Sequence, residues 1–313
     1  MVLVDVRTRN DKKIPIARGL PGPVDVYGSA DVVTVLDLKR AIAKNYPKLY
    51  VDRQRLTVDG KPLDDNTTIA SLGHGDKPTV VVKDLGAQLS WRAVYIVEYL
   101  GPLFIHPILY FFQPYFYRTV QPHSHIQTIA GALTVLHFVK RELETIFLHR
   151  FSRATMPATY IIRNSAHYWL WTGVAFAYVL YSSTYSATEL NKNKSNLRND
   201  PRFVWACVAF WTWAQLSNFS THLTLRNLRP AGTAQRGIPY GYGFGLISCP
   251  NYLFDIFAWL ALAVLTGSWV AYGFVVFASY VLTGWAMKRH RAYRKEFGDK
   301  YPRNRKALWP FIL

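Results

Sequence analysis

Cysteines and acidic residues are scarce in this sequence of 313 residues. The two cysteines, Cys207 and Cys249, fall in or beside apolar runs, and two thiols so placed indicate neither a disulfide framework nor a metal site. The first residues lack the basic and long apolar regions of a secretory signal, so the first apolar span is expected to direct insertion. No GxGxxG motif follows a strand, so a Rossmann dinucleotide site is not indicated.

Long apolar runs begin at residue 91, whereas residues 1–84 have the composition of a soluble domain. The runs are long enough to cross a membrane. They lie at about 91–112, 127–147, 165–185, 203–224, 244–266 and 268–288. The sequence therefore predicts an α-helical multi-span membrane domain with about six transmembrane helices over residues 85–313, after a soluble domain over residues 1–84.

Basic residues outnumber acidic ones, 37 to 19, which gives a formal charge of +18. Much of this charge lies in loops between spans and in the tail, where residues 288–306 hold nine basic residues and two acids. Basic loops face the cytosol, so six spans place both termini there; the same charge also suits a polyphosphate ligand. A nucleic-acid partner would require a soluble basic surface with interleaved aromatics, and none is predicted.

One loop departs from this orientation. Residues 191–202 are expected on the luminal side, yet they carry four basic residues and one acid. Within them, Asn193-Lys194-Ser195 is a glycosylation sequon, so modification of Asn193 would report the side of the membrane.

The soluble domain shows a β–α–β order. Residues 2–7 and 78–83 are rich in β-branched residues, Thr34–Asn45 has the pattern of an amphipathic helix, and Asp59-Gly60 is a turn signal between two short strands. This order resembles ubiquitin-like β-grasp domains. No di-glycine follows the last strand, so conjugation is not expected. A docking or regulatory role and a folded cap without chemistry both remain open.

Charged residues inside the predicted spans are candidates for a functional site. Glu98 lies in the middle of the first run, where a carboxylate costs roughly 3 kcal/mol unless it faces a partner or a cavity. A hydrogen bond or ion pair between helices would also account for it. Lys140 and Glu144 are spaced to pair on one helix, as at an ordinary interfacial helix end. His123 and His125 lack a third ligand, so no metal site is predicted.

The fourth run carries a polar stripe. Asn218, His222 and Arg229 fall on one helical face if the helix continues that far. A stripe of this kind within an aromatic helix is typical of the wall of a binding cavity, and a satisfied buried network has the same pattern. The loop that follows contains Arg226, Arg229 and Arg236 among Gly and Pro, and guanidinium groups so placed suit phosphate binding.

The pentapeptide Ser-Cys-Pro-Asn-Tyr at 248–252 introduces the fifth run. Pro250 suits the first helical position, with one of the two preceding residues as the cap. Asn251 and Asp255 then share a helical face. Tyr252 projects near the membrane boundary, where a tyrosine is equally often an interfacial anchor.

Four motifs, taken in order, identify a family. They are LRNLRPAG at 225–232, SCPNYLFD at 248–255, KRHRAYRKEF at 288–297 and NRKALWPFIL at 304–313. Together they closely resemble the steroid 5α-reductase family of membrane reductases. The ubiquitin-like head, DLGAQLSW at 84–91 and KRELETIFLHRFSRATMP at 140–157 resemble its branch of very-long-chain trans-2-enoyl-CoA reductases, and the resemblance covers nearly the whole chain.

The resemblance implies an NADPH-dependent reductase of the endoplasmic reticulum membrane that catalyses the last step of fatty-acid elongation. That cycle makes very-long-chain acyl groups, including those of sphingolipids. The implied partners are a long-chain enoyl-CoA substrate, membrane lipid and other enzymes of the elongation cycle. The residues predicted to line NADPH are Asn218, His222, Arg229, Asn251, Asp255, Arg289, His290 and Tyr293. The position of His222 is acidic in the steroid enzymes. Gln88, a polar residue just before the first span, and Glu98 are the predicted substrate contacts.

The resemblance also bears on the proton donor. Glu98 falls on the glutamate that steroid reductases use near the substrate carbonyl, whereas their catalytic tyrosine falls on Phe138, which has no hydroxyl. In the enoyl-CoA branch the matching tyrosine is Tyr252. We therefore predict that Tyr252 protonates C2 after hydride addition at C3, and that Glu98 and Lys140 orient the substrate.

Two other functions fit parts of the pattern. A reductase of a steroid or polyprenol enone would share the fold, but Phe138 and the soluble head argue against it, and a substrate panel with NADPH would decide. A non-enzymatic membrane adaptor would use the head to recruit partners. That function leaves the polar residues of the spans unexplained, and failure to bind NADPH would favour it.

Overall fold

The protein is described by a computed structural model over residues 1–72, 78–150, 154–193, 195–230 and 237–312. Lys194 of the sequon and Arg236 of the arginine-rich loop lie outside these residues. The chain divides into two compact units. The first is formed by Met1–Trp91 and Ala154–Tyr160, the second by Arg92–Arg153 and Ile161–Leu313.

A five-stranded mixed sheet forms most of the first unit. Its strands are β1 Val2–Thr8, β2 Gly22–Val26, β3 Gln54–Val58, β4 Lys61–Pro62 and β5 Thr79–Asp84. The order across the sheet is β2–β1–β5–β3–β4, with β1 parallel to β5 and the other pairs antiparallel. Asp59 and Gly60 both have positive φ, as a tight turn between β3 and β4 requires. The predicted β-grasp order is confirmed.

Helix α1, Val35–Asn45, completes the core of this unit. It begins at a capping box, in which Thr34 Oγ1 accepts from the Asp37 N–H at 3.3 Å and Asp37 Oδ2 accepts from the Thr34 N–H at 3.1 Å. Leu38 and Ile42, one turn apart, are fully buried in the core. Burying each contributes about 1.5–3 kcal/mol, so the amphipathic pattern fixes which face of α1 meets the sheet.

A small antiparallel sheet, absent from the sequence-based predictions, also belongs to the first unit. Its strands are β6 Gln88–Ser90 and β7 Thr155–Pro157. They are distant in sequence, and β7 is only three residues long, so no local pattern marks the pair.

Helices make up most of the second unit. They are α2 Trp91–Phe111, α3 Gln113–Phe116, α4 His125–Leu143, α5 Thr159–Ala166, α6 Phe176–Leu180, α7 Ala187–Lys192, α8 Pro201–Asn227, α9 Pro250–Thr266 and α10 Trp269–Phe297. A π-helical turn, Glu144–Leu148, extends α4, and a π-helical segment, His167–Ala175, joins α5 to α6. The predicted spans fall on a helix or on consecutive helical segments, except that the span 244–266 becomes helical only from Pro250.

Two helices of the described residues are long and apolar enough to cross a membrane. They are α2 and the stretch Trp269–Lys300, which includes α10. Helix α9 is apolar but shorter. Helices α4 and α8 carry charged and polar side chains that lower their hydropathy. The membrane character of the helical domain is supported, and the count of six spans stays a prediction.

Aromatic side chains hold four helices of this unit together. The ring centroid of Trp259 on α9 lies 4.5 Å from that of Phe274 on α10 and 6.0 Å from that of Phe138 on α4. Phe138 is fully buried, and its ring lies 6.2 Å from that of Tyr99 on α2. Such pairs contribute about 0.5–1.5 kcal/mol each beyond area burial, so they fix the helices that carry the site.

Loops predicted on one side of the membrane contact one another. Near the start of α4, His125 Nε2 lies 2.7 Å from the Arg198 carbonyl, and Thr188 Oγ1 donates to Gln121 Oε1 at 2.9 Å. Beyond the other end of α4, the Arg150 guanidinium donates to the Arg226 carbonyl at 3.3 Å. These two groups of contacts lie at opposite ends of α4, and the orientation across the membrane stays a prediction.

Candidate active site

A buried carboxylate marks the end of α4. Glu144 is 2% exposed, and its Oε1 lies 2.8 Å from Lys140 Nζ and 3.1 Å from His222 Nδ1. Its Oε2 accepts from Arg141 Nη1 at 3.0 Å. The predicted pairing of Lys140 with Glu144 is confirmed, but the pair lies in the interior beside α8. It is not the exposed helix end that the spacing also allowed.

Lys140 connects this cluster to the 248–252 motif. Its Nζ donates to Asn218 Oδ1 at 2.6 Å, and Asn218 Nδ2 donates to the Asn251 carbonyl at 2.8 Å. Asn218 is 2% exposed, so its amide bridges α4 and α9 inside the protein. The bridge ends at the residue that precedes Tyr252.

The phenol of Tyr252 faces α10. Its hydroxyl lies within electrostatic range of the Arg289 guanidinium, as does the Tyr293 hydroxyl one turn further along α10. Tyr95 of α2 lies within electrostatic range of both Tyr252 and Arg289. A guanidinium beside a phenol stabilises the negative charge that remains when the phenol gives up its proton. Tyr252 therefore has the neighbour that a proton donor requires.

Ser248 of the same motif is hydrogen-bonded to α10 and to a residue that follows this helix. Ser248 Oγ lies 2.6 Å from His290 Nδ1 and 2.6 Å from the Tyr301 hydroxyl. Cys249 is the N-cap residue of α9, without a side-chain cap bond, and Pro250 occupies the first turn as predicted. The motif thus ties His290 to the start of α9.

Glu98 is buried within α2, at 2% exposure. Its carboxylate lies near Asn164 of α5 and within electrostatic range of Tyr99 and Arg141. The Tyr99 hydroxyl accepts from Arg141 Nη2 at 2.7 Å, which joins Glu98 to the cluster at the end of α4. Pro102 lies four residues after Glu98 and has no N–H to donate to the Glu98 carbonyl, so the helix is interrupted at this level.

Arg229 does not share the polar stripe of α8. The helix ends two residues before it, because a proline follows and the residue before a proline avoids the helical conformation. The predicted continuation of the helix is wrong. Asn218 and His222 keep their places on one buried face, whereas Arg150 and Arg229 each donate from the guanidinium to the other's main-chain carbonyl.

Two further predicted residues take different positions. Asp255 lies within electrostatic range of Lys140 and Arg141, as expected from the face that it shares with Asn251. Gln88 belongs to the first unit, where its amide donates to the Leu85 carbonyl at 3.1 Å. Its contact with substrate stays a prediction.

Comparison with known proteins places this chain in a family. Residues 154–313 match the model described as 3-oxo-5-alpha-steroid 4-dehydrogenase, and residues 31–83 match the ubiquitin family. A Schizosaccharomyces pombe protein named as an enoyl reductase is 41% identical over 313 residues, covering 100% of this chain and 99% of that protein. The very-long-chain enoyl-CoA reductase of Dictyostelium discoideum is 36% identical over 299 residues, or 93% of this chain and 95% of that protein. The chain belongs to the very-long-chain enoyl-CoA reductase family.

This reductase family is a family of oxidoreductases, and it extends to more distant relatives. A trans-2,3-enoyl-CoA reductase-like protein of Mus musculus is 28% identical over 291 residues, or 90% of this chain and 78% of that protein. The steroid match covers the helical unit from α5 onward, which contains the polar face of α8 and the 248–252 motif.

Phe138 of this reductase is a core residue. Its ring is fully buried, with centroids 6.2 Å from Tyr99 and 6.0 Å from Tyr168. It carries no proton that could be transferred. The phenols around it are those of Tyr99 and Tyr168, which sequence reasoning did not single out.

Glu144, His149 and His222 offer three ligand atoms that lie within 4.8 Å of one another. The same carboxylate is already paired with Lys140 and Arg141, whose positive charges oppose a metal cation. The cluster is therefore better described as an ion-pair network. The predicted lack of a metal site stays a prediction.

Sequence reasoning missed several members of this network. Arg141, Tyr99 and Tyr301 were not candidates, and Ser248 was considered only as a helix cap. One local signal was present, because Arg141 stands three residues before Glu144 and can pair with it. The contacts of Tyr99 and Tyr301 have no such signal, since they join residues far apart in the chain.

Proposed function

We propose that this reductase uses NADPH to reduce the C2=C3 double bond of very-long-chain trans-2-enoyl-CoA, giving the saturated acyl-CoA. The observation that carries the proposal is the Tyr252 phenol, placed against Arg289 on a turn that Asn218 joins to Lys140. The names of the Dictyostelium and mouse relatives support an enoyl-CoA as the substrate.

The side chains near Tyr252 are suited to bind nicotinamide adenine dinucleotide phosphate. Beyond its apolar part, α10 exposes five basic residues: Lys288, Arg289, Arg291, Arg294 and Lys295. Guanidinium groups bind phosphate oxygens through paired hydrogen bonds, so this helix suits the diphosphate and the 2′-phosphate. Asn251 of the motif and His290, which is hydrogen-bonded to Ser248 of the motif, add polar groups. When bound, NADPH supplies the hydride that adds to C3.

Lys140 and Glu98 are suited to orient the substrate. Negative charge develops on the thioester oxygen during the reduction, and a fixed cation or hydrogen-bond donor at that oxygen lowers the barrier. The Lys140 ammonium is held by Asn218 and Glu144, so it needs little reorganisation. Glu98 Oε2 is buried and has no hydrogen-bond partner among the described residues, so Glu98 in its protonated form can donate a hydrogen bond to the thioester oxygen.

Tyr252 completes the reaction by giving its proton to C2. The resulting phenolate keeps Arg289 as its counter-charge until a proton returns. An aliphatic or aromatic residue at this position could hold the substrate but could not supply the proton, so the hydroxyl itself is the feature to test.

The test is the Tyr252→Phe substitution. Loss of a positioned general acid lowers turnover by about 100-fold or more, whereas the ring and its packing are retained. NADPH oxidation and saturated acyl-CoA formation would be measured on purified protein with enoyl-CoAs of graded chain length. A steroid or polyprenol enone in the same panel tests the other substrate classes.

The matched control is Tyr280→Phe, which removes the hydroxyl of a tyrosine on α10 that is 79% exposed. It should keep wild-type turnover. Near-normal turnover of Tyr252→Phe would remove Tyr252 from the proton-donor role. Absence of NADPH oxidation by the wild-type protein with every enoyl-CoA would overturn the proposed function.

We further propose that the protein is a multi-pass protein of the endoplasmic reticulum membrane with both termini in the cytosol. The apolar helices α2 and α10 support membrane insertion, and the basic end of α10 supports its cytosolic position. This orientation places the phosphate-binding residues on the side where NADPH and acyl-CoA are made, while the acyl chain lies among the helices.

A further inference from the structure

The carboxylate of Glu144 contacts more charged groups than any predicted site residue, yet the proposed reaction assigns it no step. It meets Lys140 at 2.8 Å, Arg141 at 3.0 Å and His222 at 3.1 Å. Its side chain is 2% exposed, so water screens these interactions little. Lys140 and Arg141 belong to α4 and His222 belongs to α8, so the Glu144 carboxylate contacts basic side chains of two helices.

Two neighbouring cations explain why an acid is needed here. Lys140 and Arg141 are consecutive, and their side chains are only 19% and 17% exposed. Like charges in a poorly solvated site repel strongly. Without the carboxylate, the flexible Lys140 side chain would move away from Arg141, because Glu144 is the only acid among the described residues in salt-bridge contact with its ammonium. Asp255 acts on both cations from farther away.

The position of Lys140 matters because of the bridge that it begins. Its ammonium reaches Asn218 at 2.6 Å, and Asn218 reaches the Asn251 carbonyl at 2.8 Å, beside Tyr252. We propose that Glu144 is a positioning residue of this reductase, which acts through Lys140 by holding its ammonium against Asn218. This role rests on the proposed function and adds a residue that does not itself touch the substrate.

The test compares Glu144→Gln with wild type. The amide keeps the size of the side chain but removes its charge. A cation displaced by about 1 Å loses roughly 100-fold in catalysis, so kcat should fall by about 10- to 100-fold. The KM for NADPH should change by less than about threefold, because the exposed basic residues of α10 are untouched. Size-exclusion chromatography and thermal unfolding would report folding.

A double-mutant cycle with Lys140→Met separates this role from a general loss of structure. If Glu144 acts through Lys140, the double variant should turn over no more slowly than Lys140→Met alone, because the effects of coupled residues do not add. Mass spectrometry of the saturated acyl-CoA provides the sensitivity that such slow variants require. Independent, multiplying losses would overturn the role.

The matched control is Glu142→Gln. Glu142 lies on the same helix at 8% exposure, and its carboxylate has no hydrogen-bond partner among the described residues. This variant should keep wild-type turnover. Should Glu144→Gln fail to fold, Glu144→Asp keeps the charge but withdraws it by one methylene, and should lower kcat with normal folding.

The outcomes distinguish the two proposals. Wild-type kcat in Glu144→Gln, or in Glu144→Asp if only that variant folds, would overturn the positioning role and leave the proposed function intact. An equal loss of kcat in Glu142→Gln would also overturn it, because the effect would then follow any buried acid of α4. An inactive wild-type protein would overturn the proposed function and this role with it.

Discussion

The close approach of α2 to the π-helical segment depends on Gly101. A β-carbon at this position would lie 2.2 Å from Cδ1 of Trp169, whereas carbon atoms in contact are about 3.5 Å apart. In Gly101→Ala the indole must therefore withdraw by about 1.3 Å. Trp169 Nε1 donates to the Val97 carbonyl at 3.0 Å, so the shift disturbs the turn that carries Glu98.

The expected change in the free energy of unfolding is the sum of two destabilising effects and one stabilising effect. Overpacking costs about 1–3 kcal/mol, and weakening the Trp169 hydrogen bond costs about 1 kcal/mol. Replacing a helical glycine by alanine returns about 1 kcal/mol through helix propensity. The net destabilisation is therefore about 1–3 kcal/mol, which lowers Tm by roughly 2–12 °C for a unit of this size.

Because Cys207 is partly exposed, the assay uses a Cys207→Ser background, in which a thiol-reactive fluorophore in detergent reports the unfolding of this unit through Cys249. Cys249 is 1% exposed and becomes reactive only when α9 opens. The control is Gly284→Ala on α10, where no described atom outside the helix's own backbone lies within 4 Å of the added carbon, and its Tm should be unchanged or higher. A wild-type Tm for Gly101→Ala would refute the reasoning, since the indole would then have moved without cost.

Two further predictions concern the soluble unit and the membrane orientation. Burial raises the pKa of Asp84, but the Arg53 guanidinium, at 2.5 and 2.9 Å, outweighs it and leaves that pKa below its usual value. The stabilisation that the Asp84 carboxylate provides is therefore present above about pH 4 and is lost as the pH falls further. Hydrogen exchange in β3 and β5 should accelerate below this pH, and the acceleration should be smaller in Arg53→Ala. Equal acceleration in the two proteins would contradict this prediction. In microsomes, Asn193 should be glycosylated, so endoglycosidase treatment should change the gel mobility of the wild-type protein but not that of Asn193→Gln. The predicted orientation would be contradicted if the wild-type protein carried no glycan and its 191–202 loop were cleaved by protease from the cytosolic side.

Local patterns predicted the elements well. The richness in β-branched residues and the Asp59-Gly60 turn predicted strands of the β-grasp sheet, and the spacing of apolar residues predicted α1. Pairing of Lys140 with Glu144 also followed from spacing alone, because residues four apart on a helix are neighbours. The small β6–β7 sheet was missed, since its strands are short and far apart in sequence.

The candidate active site contains contacts that local sequence patterns did not predict. The stripe on α8 was extended to Arg229, but the proline that follows ends the helix earlier, and the guanidinium turns to the Arg150 carbonyl. Ser248 was expected to be a helix cap at most, yet it bonds His290 and Tyr301. Local spacing cannot reveal which of several hydrogen-bond partners a side chain meets once helices pack.

The sequence by itself determined that this chain has a β-grasp head and an apolar helical domain, and its motifs placed Tyr252 and Lys140 among the candidates. Those features depend on residue type and on periodicity within one element. Only the tertiary structure decided that Lys140 meets Asn218, 78 residues away, and that His222 of α8 joins Lys140 and Arg141 at Glu144. Such contacts depend on how α4 packs against α8 and α9, which is set by aromatic side chains throughout the core.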